Sequence, residues 1–174
     1  MYVNYCRTVK DSCKGFGAGK IVVKLKTEIM VEMGNEDMVK HIIKDTDFLQ
    51  KKVEPATRKD RAIAEDLLDT LKANRAICVG LAANMIGVAK SVIAVQAGKQ
   101  NVAMFNPKII RHSAEYREVM EGCLSLLGER PAKRYVWIEV EYQDIKFKPQ
   151  RQRFSGFTAQ IIQHEIDHCQ GILI

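Results

Sequence analysis

Gln163-His164-Glu165-Ile166-Asp167-His168, near the C-terminus, is the stretch around which the rest of the chain falls into place. It contains His-Glu-x-x-His. On a helix, residues four apart advance by about 400°, so His164 and His168 stand one turn apart on nearly the same face, the spacing of two metal ligands. Glu165 is then aimed at whatever water or substrate shares the metal, where a carboxylate moves protons without occupying a coordination position. The ordinary alternative is a surface helix carrying these residues by chance. The surroundings weigh against it, because Gly156 to Ile162 continue the helical period and Phe157, Ile161, Ile162 and Ile166 form an apolar stripe. Ser155 can cap the start of this helix and Gly171 can end it. A helix with that much apolar surface is buried, and buried imidazoles and carboxylates persist only when partnered.

A catalytic site of this kind takes three protein ligands and leaves one position open. Downstream only Cys169 to Ile174 remain, and Cys169 is rotated about 100° from His168. The third ligand therefore comes from upstream. Cys123, within Glu121-Gly122-Cys123-Leu124-Ser125, is one candidate, and Gly122 lets the chain bend sharply there. An isolated cysteine is more commonly a small buried hydrophobe. Spacing alone does not choose Cys123 over Cys78, His41 or His112.

The chain of 174 residues suits one domain with a hydrophobic core. It has no apolar run of 18 residues and no signal-peptide pattern, so a membrane is not expected as a partner. Five cysteines without a regular framework point to a reducing cytoplasm. The net charge of +6 is dispersed; it would aid a transient encounter with the ribosome, but a solvated basic surface is its ordinary meaning, and no specific nucleic-acid partner is expected.

Residues 1–37 read as an N-terminal extension of uncertain role, with a disordered state as one option. Gly15-Phe16-Gly17-Ala18-Gly19-Lys20 resembles a phosphate loop only superficially, since no Ser or Thr follows Lys20. Met30, Met33 or Met38 offers an alternative translation start. From residue 38 to 174 a single domain is expected. Thr57 and Asp60 form a capping pair ahead of a helix with Ile63, Leu67 and Leu71 on one face, running to about Asn74. Cys78 to Gly87 are rich in small residues, which permit close backbone approach. Ser91 to Val95 and Val102 to Phe105 read as buried strands, the second broken by Asn106-Pro107. Val136, Ile138, Val140 and Tyr142 alternate in another strand, with Gln143-Asp144 turning toward Phe147 and Phe154. Strands preceding a late helix indicate an α+β fold.

Three segments together, Gly80-Leu81-Ala82-Ala83, Glu121-Gly122-Cys123-Leu124-Ser125 and Gln163-His164-Glu165-Ile166-Asp167-His168, resemble the peptide deformylases in order and separation over roughly residues 38–174. The resemblance implies antiparallel sheets around a central metal-binding helix, with Cys123, His164 and His168 on the metal and Glu165 transferring protons. The ion it implies is Fe²⁺, with Zn²⁺, Ni²⁺ or Co²⁺ able to substitute. The reaction it implies removes formate from N-formylmethionyl peptides of newly made proteins. It further implies a backbone N–H from Leu124 toward the oxyanion. Val79, Gly80, Phe157 and Ile161 would lie near the methionine pocket, and Arg130 on the substrate side. Glu121 would anchor its loop to a base such as Arg134. Core packing is the ordinary role for Phe157 and Ile161, and a solvated charge for Arg130.

The chain departs from the family pattern at Met85, where a glutamine amide ordinarily helps hold the oxyanion; a thioether cannot donate. Losing one such donor costs about 10²- to 10³-fold in rate. Asn84 offers a replacement if it turns inward. Cys78 replaces a glycine and would narrow the approach to the substrate backbone. The C-terminal helical extension through which some members contact ribosomes has no counterpart after the metal helix, so that contact is not carried over. The alternative function is a metal-retaining, catalytically weak or inactive peptide-binding homologue. A metalloprotease shares the motif but needs a different third ligand.

Overall fold

In a computed structural model, residues 39–174 are described. The expectations for residues 1–37 and for the start at Met38 lie outside them. The elements are α1 (Thr46–Leu49), α2 (Arg61–Ala73), β1 (Gly80–Ala82), β2 (Val92–Ala97), β3 (Gln100–His112), β4 (Tyr116–Gly122), β5 (Glu129–Tyr135), β6 (Trp137–Gln143), β7 (Pro149–Ser155) and α3 (Gly156–Cys169). Short 3₁₀ turns precede α2 and follow β1. The strands form a five-stranded antiparallel sheet, β1-β2-β3-β6-β7, and a separate hairpin, β4-β5. This is the expected α+β arrangement.

Helices α2 and α3 both pack against β2. Leu67, Leu71, Ile161 and Ile162 are buried there with Leu81, Ile93 and Val95. Val92 to Val95 are all buried, which explains why the sequence of β2 shows an unbroken apolar run rather than alternation. Ahead of α2, the Asp60 carboxylate accepts from the Thr57 N–H at 2.7 Å and the Thr57 hydroxyl at 2.9 Å, fixing the chain's entry into the helix.

Asn106-Pro107 does not end the second strand; β3 runs on to His112. The pairing with β6 instead shifts register between Phe105 and Lys108. Asn106 adopts φ 52°, a conformation asparagine tolerates, and its amide brackets Ala56 through both the N–H (2.7 Å) and the carbonyl (2.9 Å). The signals read as a strand end are those of a bulge. Hairpin β4-β5 has no sequence signal, because half of its strand residues are exposed and no apolar alternation marks it.

Ser155 stands at the N-cap of α3, but its side chain makes no capping bond. At the other end, Gly171 has φ 77° and donates to the His168 carbonyl. A Cβ there would strike the Gln50 carbonyl, so both conformation and space require glycine.

Candidate metal centre

Helix α3 carries His164 and His168 inward, both almost wholly buried. The segment joining β4 to β5 brings Cys123 against them. Among the described residues, Cys123, His164 and His168 form a group whose ligand atoms all lie within 4.8 Å of one another, with Cys123 Sγ 3.2 Å from His168 Nε2. The other candidates for the third position stand elsewhere. His41 is exposed, and His112 stacks on Tyr135 with its Nδ1 2.9 Å from the Ser113 carbonyl. The Cys78 thiol donates to the Gly80 carbonyl at 2.9 Å.

The donor set fits a divalent transition metal, since a thiolate with two imidazoles suits borderline first-row ions. Glu121, fully buried, lies 2.9 Å from His164 Nδ1, accepts from Gln160 at 2.8 Å and is gripped by Arg134 at 2.7, 3.0 and 3.2 Å. Burial pushes the Glu121 carboxyl up, but hydrogen bonds from His164 and Arg134, and their charge, more than reverse this and hold it at about 2. An ionised carboxylate only accepts, so His164 donates to it from Nδ1, which leaves Nε2 as the nitrogen facing a metal. Burial, followed by the charge of His164 and Arg134, lowers His168 to about 3 and keeps that ring neutral. Burial raises the Cys123 thiol to about 12; the Ser125 N–H, 3.4 Å from the sulfur, works against this and the Glu165 charge adds to it. Ligation by Cys123 therefore releases a proton.

A space of about 10 Å³, the size of one water or ion, is lined by these ligands except His168, together with Glu165, Gly80, Met85, Leu124, Gly122 and Cys78. Glu165 is wholly buried, and its Oε2 has no hydrogen-bond partner. Burial, then the neighbouring charge of Glu121, raises its carboxyl well above the ordinary range. Gly80 leaves room for it, since a Cβ there would collide with Glu165 Oε1 and stand 2.7 Å from Ile161 Cγ2.

Met85 is buried in the wall of this space, and its sulfur accepts from the Ala82 N–H at 3.4 Å. Asn84 does not replace the missing donor: its amide turns away to the His168 carbonyl at 2.8 Å. Of the residues expected near substrate, Leu124 and Gly80 line the space, and Ile161 is buried next to Gly80. Val79, Phe157, Ile161 and Arg130 do not line it. Phe157 is 46% exposed rather than part of a buried stripe, and Arg130 donates to the Leu127 carbonyl at 3.2 Å.

The sequence reading missed three side chains that hold the centre. Gln160 sits one turn before His164, and Asp167 accepts from Arg134 at 2.6 Å. Gln163 pins α3 to β5 through Tyr135, accepting at 2.8 Å and donating at 3.1 Å. Their spacing of three or four residues on one helix was a usable signal.

An α+β scaffold built around a buried Cys-His-His cluster, with a carboxylate beside it on a His-Glu-x-x-His helix, defines a metal-dependent enzyme. Comparison with known proteins specifies it further. The family model for polypeptide deformylase matches residues 39–174. A peptide deformylase of Clostridium beijerinckii is 53% identical over 137 residues, covering 79% of this chain and all of that protein. One from Dictyoglomus turgidum is 38% identical, covering 71% of this chain and 80% of its own length. Among solved structures, the Met-Ala-Ser-bound class I type b peptide deformylase of Acinetobacter baumannii superposes with TM-score 0.71 at 29% identity, covering 78% of this chain and 96% of that one. The peptide deformylase of Thermotoga maritima gives TM-score 0.71 at 28% identity, with 78% and 94% covered. This chain belongs to the polypeptide deformylase family. Nothing in these likenesses supports the alternative of an inactive peptide-binding homologue. Among the described residues no helix is long and apolar enough to cross a membrane.

Proposed function

We propose that this chain hydrolyses the formyl group from the N-terminal formylmethionine of newly made peptides, releasing formate, with Fe²⁺ as its ion and Zn²⁺, Ni²⁺ or Co²⁺ as substitutes. The observation that carries the reading is the buried cluster of Cys123, His164 and His168, with Glu165 lining the water-sized space beside Cys123 and His164. When bound, such an ion lowers the pKa of a water in the site from about 15.7 toward about 7 and polarises the formyl carbonyl.

The chain's own residues then do the rest. Glu165, held in an apolar setting that makes it a stronger base, takes the proton of the attacking water. The water oxygen bonds to the formyl carbon, the carbon–nitrogen bond breaks, and Glu165 returns the proton to the departing α-amine. The Leu124 N–H, next to Cys123, serves the oxyanion. Gly80 admits the substrate backbone beside Glu165. Val79, Phe157 and Ile161 are assigned to the wall for the methionine side chain, and Arg130 to the substrate side. Glu121 and Arg134 fix the tautomer and direction of His164.

Anaerobically purified, Fe²⁺-loaded protein given formyl-Met-Ala-Ser is expected to release formate, and Glu165→Ala to lose at least about 10²-fold of that rate while keeping its metal. Release no greater than that of the Glu165→Ala protein, from a sample shown to contain one ion per chain, would sink the assignment.

A further inference from the structure

We infer that a basic cleft next to the active site, lined by Lys72, Arg75 and Lys99, receives a carboxylate of the substrate peptide beyond its methionine. This deepens the deformylase reading and rests on it. The cleft encloses about 250 Å³ and is also lined by Gln96, Asn101 and Cys78. Cys78, itself buried, lines the water-sized space at the metal centre as well, so the cleft and the centre share one wall. Strand β1, two residues further on, lies at the edge of its sheet.

Two separate parts of the chain deliver the three cations. Lys72 is in the last turn of α2, where it also faces the helix's carbonyl end. Arg75 follows that helix, positioned by the Ile77 and Cys78 N–H groups closing back on the Asn74 carbonyl at 2.9 Å. Lys99 stands in the turn between β2 and β3, where Gly98 takes φ 65° and no helix end needs a cation. Gln96 and Asn101 face each other in the β2–β3 register and offer amides between them. No acid lines the cleft, and among the described residues none of the three cations forms an ion pair. Three uncompensated positive charges converging with two amides attract a carboxylate and repel a basic side chain. All three are solvated, so the preference is modest and salt-sensitive.

The test uses amidated peptides, formyl-Met-Ala-Ala-Ala amide as the neutral reference, with Asp, Asn or Lys placed at the second, third or fourth residue. Formyl-Met-Ala-Ser as free acid and as amide distinguishes a terminal carboxylate from a side-chain one. At low salt, at least one acid placement is expected to raise kcat/KM about threefold or more over its Asn counterpart, with Lys below both. The ratio of Asp to Asn should fall toward one in about 0.5 M NaCl and in the triple variant Lys72→Gln/Arg75→Gln/Lys99→Gln. Ratios of one at every placement in the unaltered protein, or a preference that survives in the triple variant, overturn the inference. If no peptide is deformylated, the catalytic reading fails by itself. The cleft is then read by fluorescence anisotropy with labelled Met-Ala-Asp-Ala and Met-Ala-Asn-Ala amides, where equal affinities overturn it and tighter binding of the acid, abolished in the triple variant, upholds it.

Discussion

Replacing Arg134 by methionine removes the cation from under the metal centre while roughly keeping its volume. The Arg134 side chain is 7% exposed and holds two acids at once, Glu121 at 2.7 Å and Asp167 at 2.6 Å. Its loss leaves the Glu121 carboxylate buried with only Gln160 and His164 as donors. Breaking a buried pair by removing one partner costs about 3–5 kcal/mol. The protonation of Glu121 gives an independent figure: the gap between an ordinary glutamate near 4.5 and about 2 in the fold corresponds to roughly 3 kcal/mol, shared between Arg134 and His164. Because that carboxyl is depressed, its contribution is complete above about pH 4.5 and is lost as pH falls toward about 2. Urea unfolding of the metal-free protein and the variant at pH 7, 5 and 4 should show the full difference at pH 7 and 5 and its narrowing below. Adding Glu121→Gln should recover part of the loss, since no unpaired charge then remains. A difference under about 1 kcal/mol at pH 7, or one unchanged between pH 7 and pH 4, would refute the reasoning.

Gly80→Ala places a methyl group against Glu165 Oε1 and 2.7 Å from Ile161 Cγ2, so formate release should fall about 10²-fold with metal content unchanged; a loss under about threefold would show that Glu165 does not need its present place. Met85→Gln puts an amide oxygen where the sulfur now accepts the Ala82 N–H and turns an NH₂ donor toward the metal centre. A rise in kcat of about 10-fold to 10²-fold is expected, and an unchanged or lower rate would mean the site is adapted to the thioether. Gly171→Ala forces a side chain into φ 77° and into the Gln50 carbonyl. Thermal unfolding should show a loss of about 1–3 kcal/mol, and an unaltered midpoint would contradict the tight approach of the two segments.

The helix of the metal motif was legible because its period and its two imidazoles are local features, set by residues four apart. So was the Thr57–Asp60 entry to α2, which joins residues three apart. The bulge at Asn106 was misread because a turn-forming residue next to proline gives the same local signal whether a strand ends or bends. Only the partners of its amide, Ala56 and Gln143, separate the two. Phe157 was placed in the buried stripe by period alone, yet it lies at the start of α3, where the stripe emerges to the surface.

By itself the sequence determined which side chains could serve a metal and that two of them, His164 and His168, share one helix face. The choice of Cys123 over Cys78, His41 and His112 belonged to the tertiary structure, because it depends on a hairpin without apolar alternation that carries Cys123 to within 3.2 Å of His168 across 45 positions of chain. The same holds for Asn84, one residue from Met85 in sequence, whose amide serves the end of α3 while Met85 faces the cavity. Directions of side chains in a 3₁₀ turn are set by what packs around it, and no local pattern encodes that.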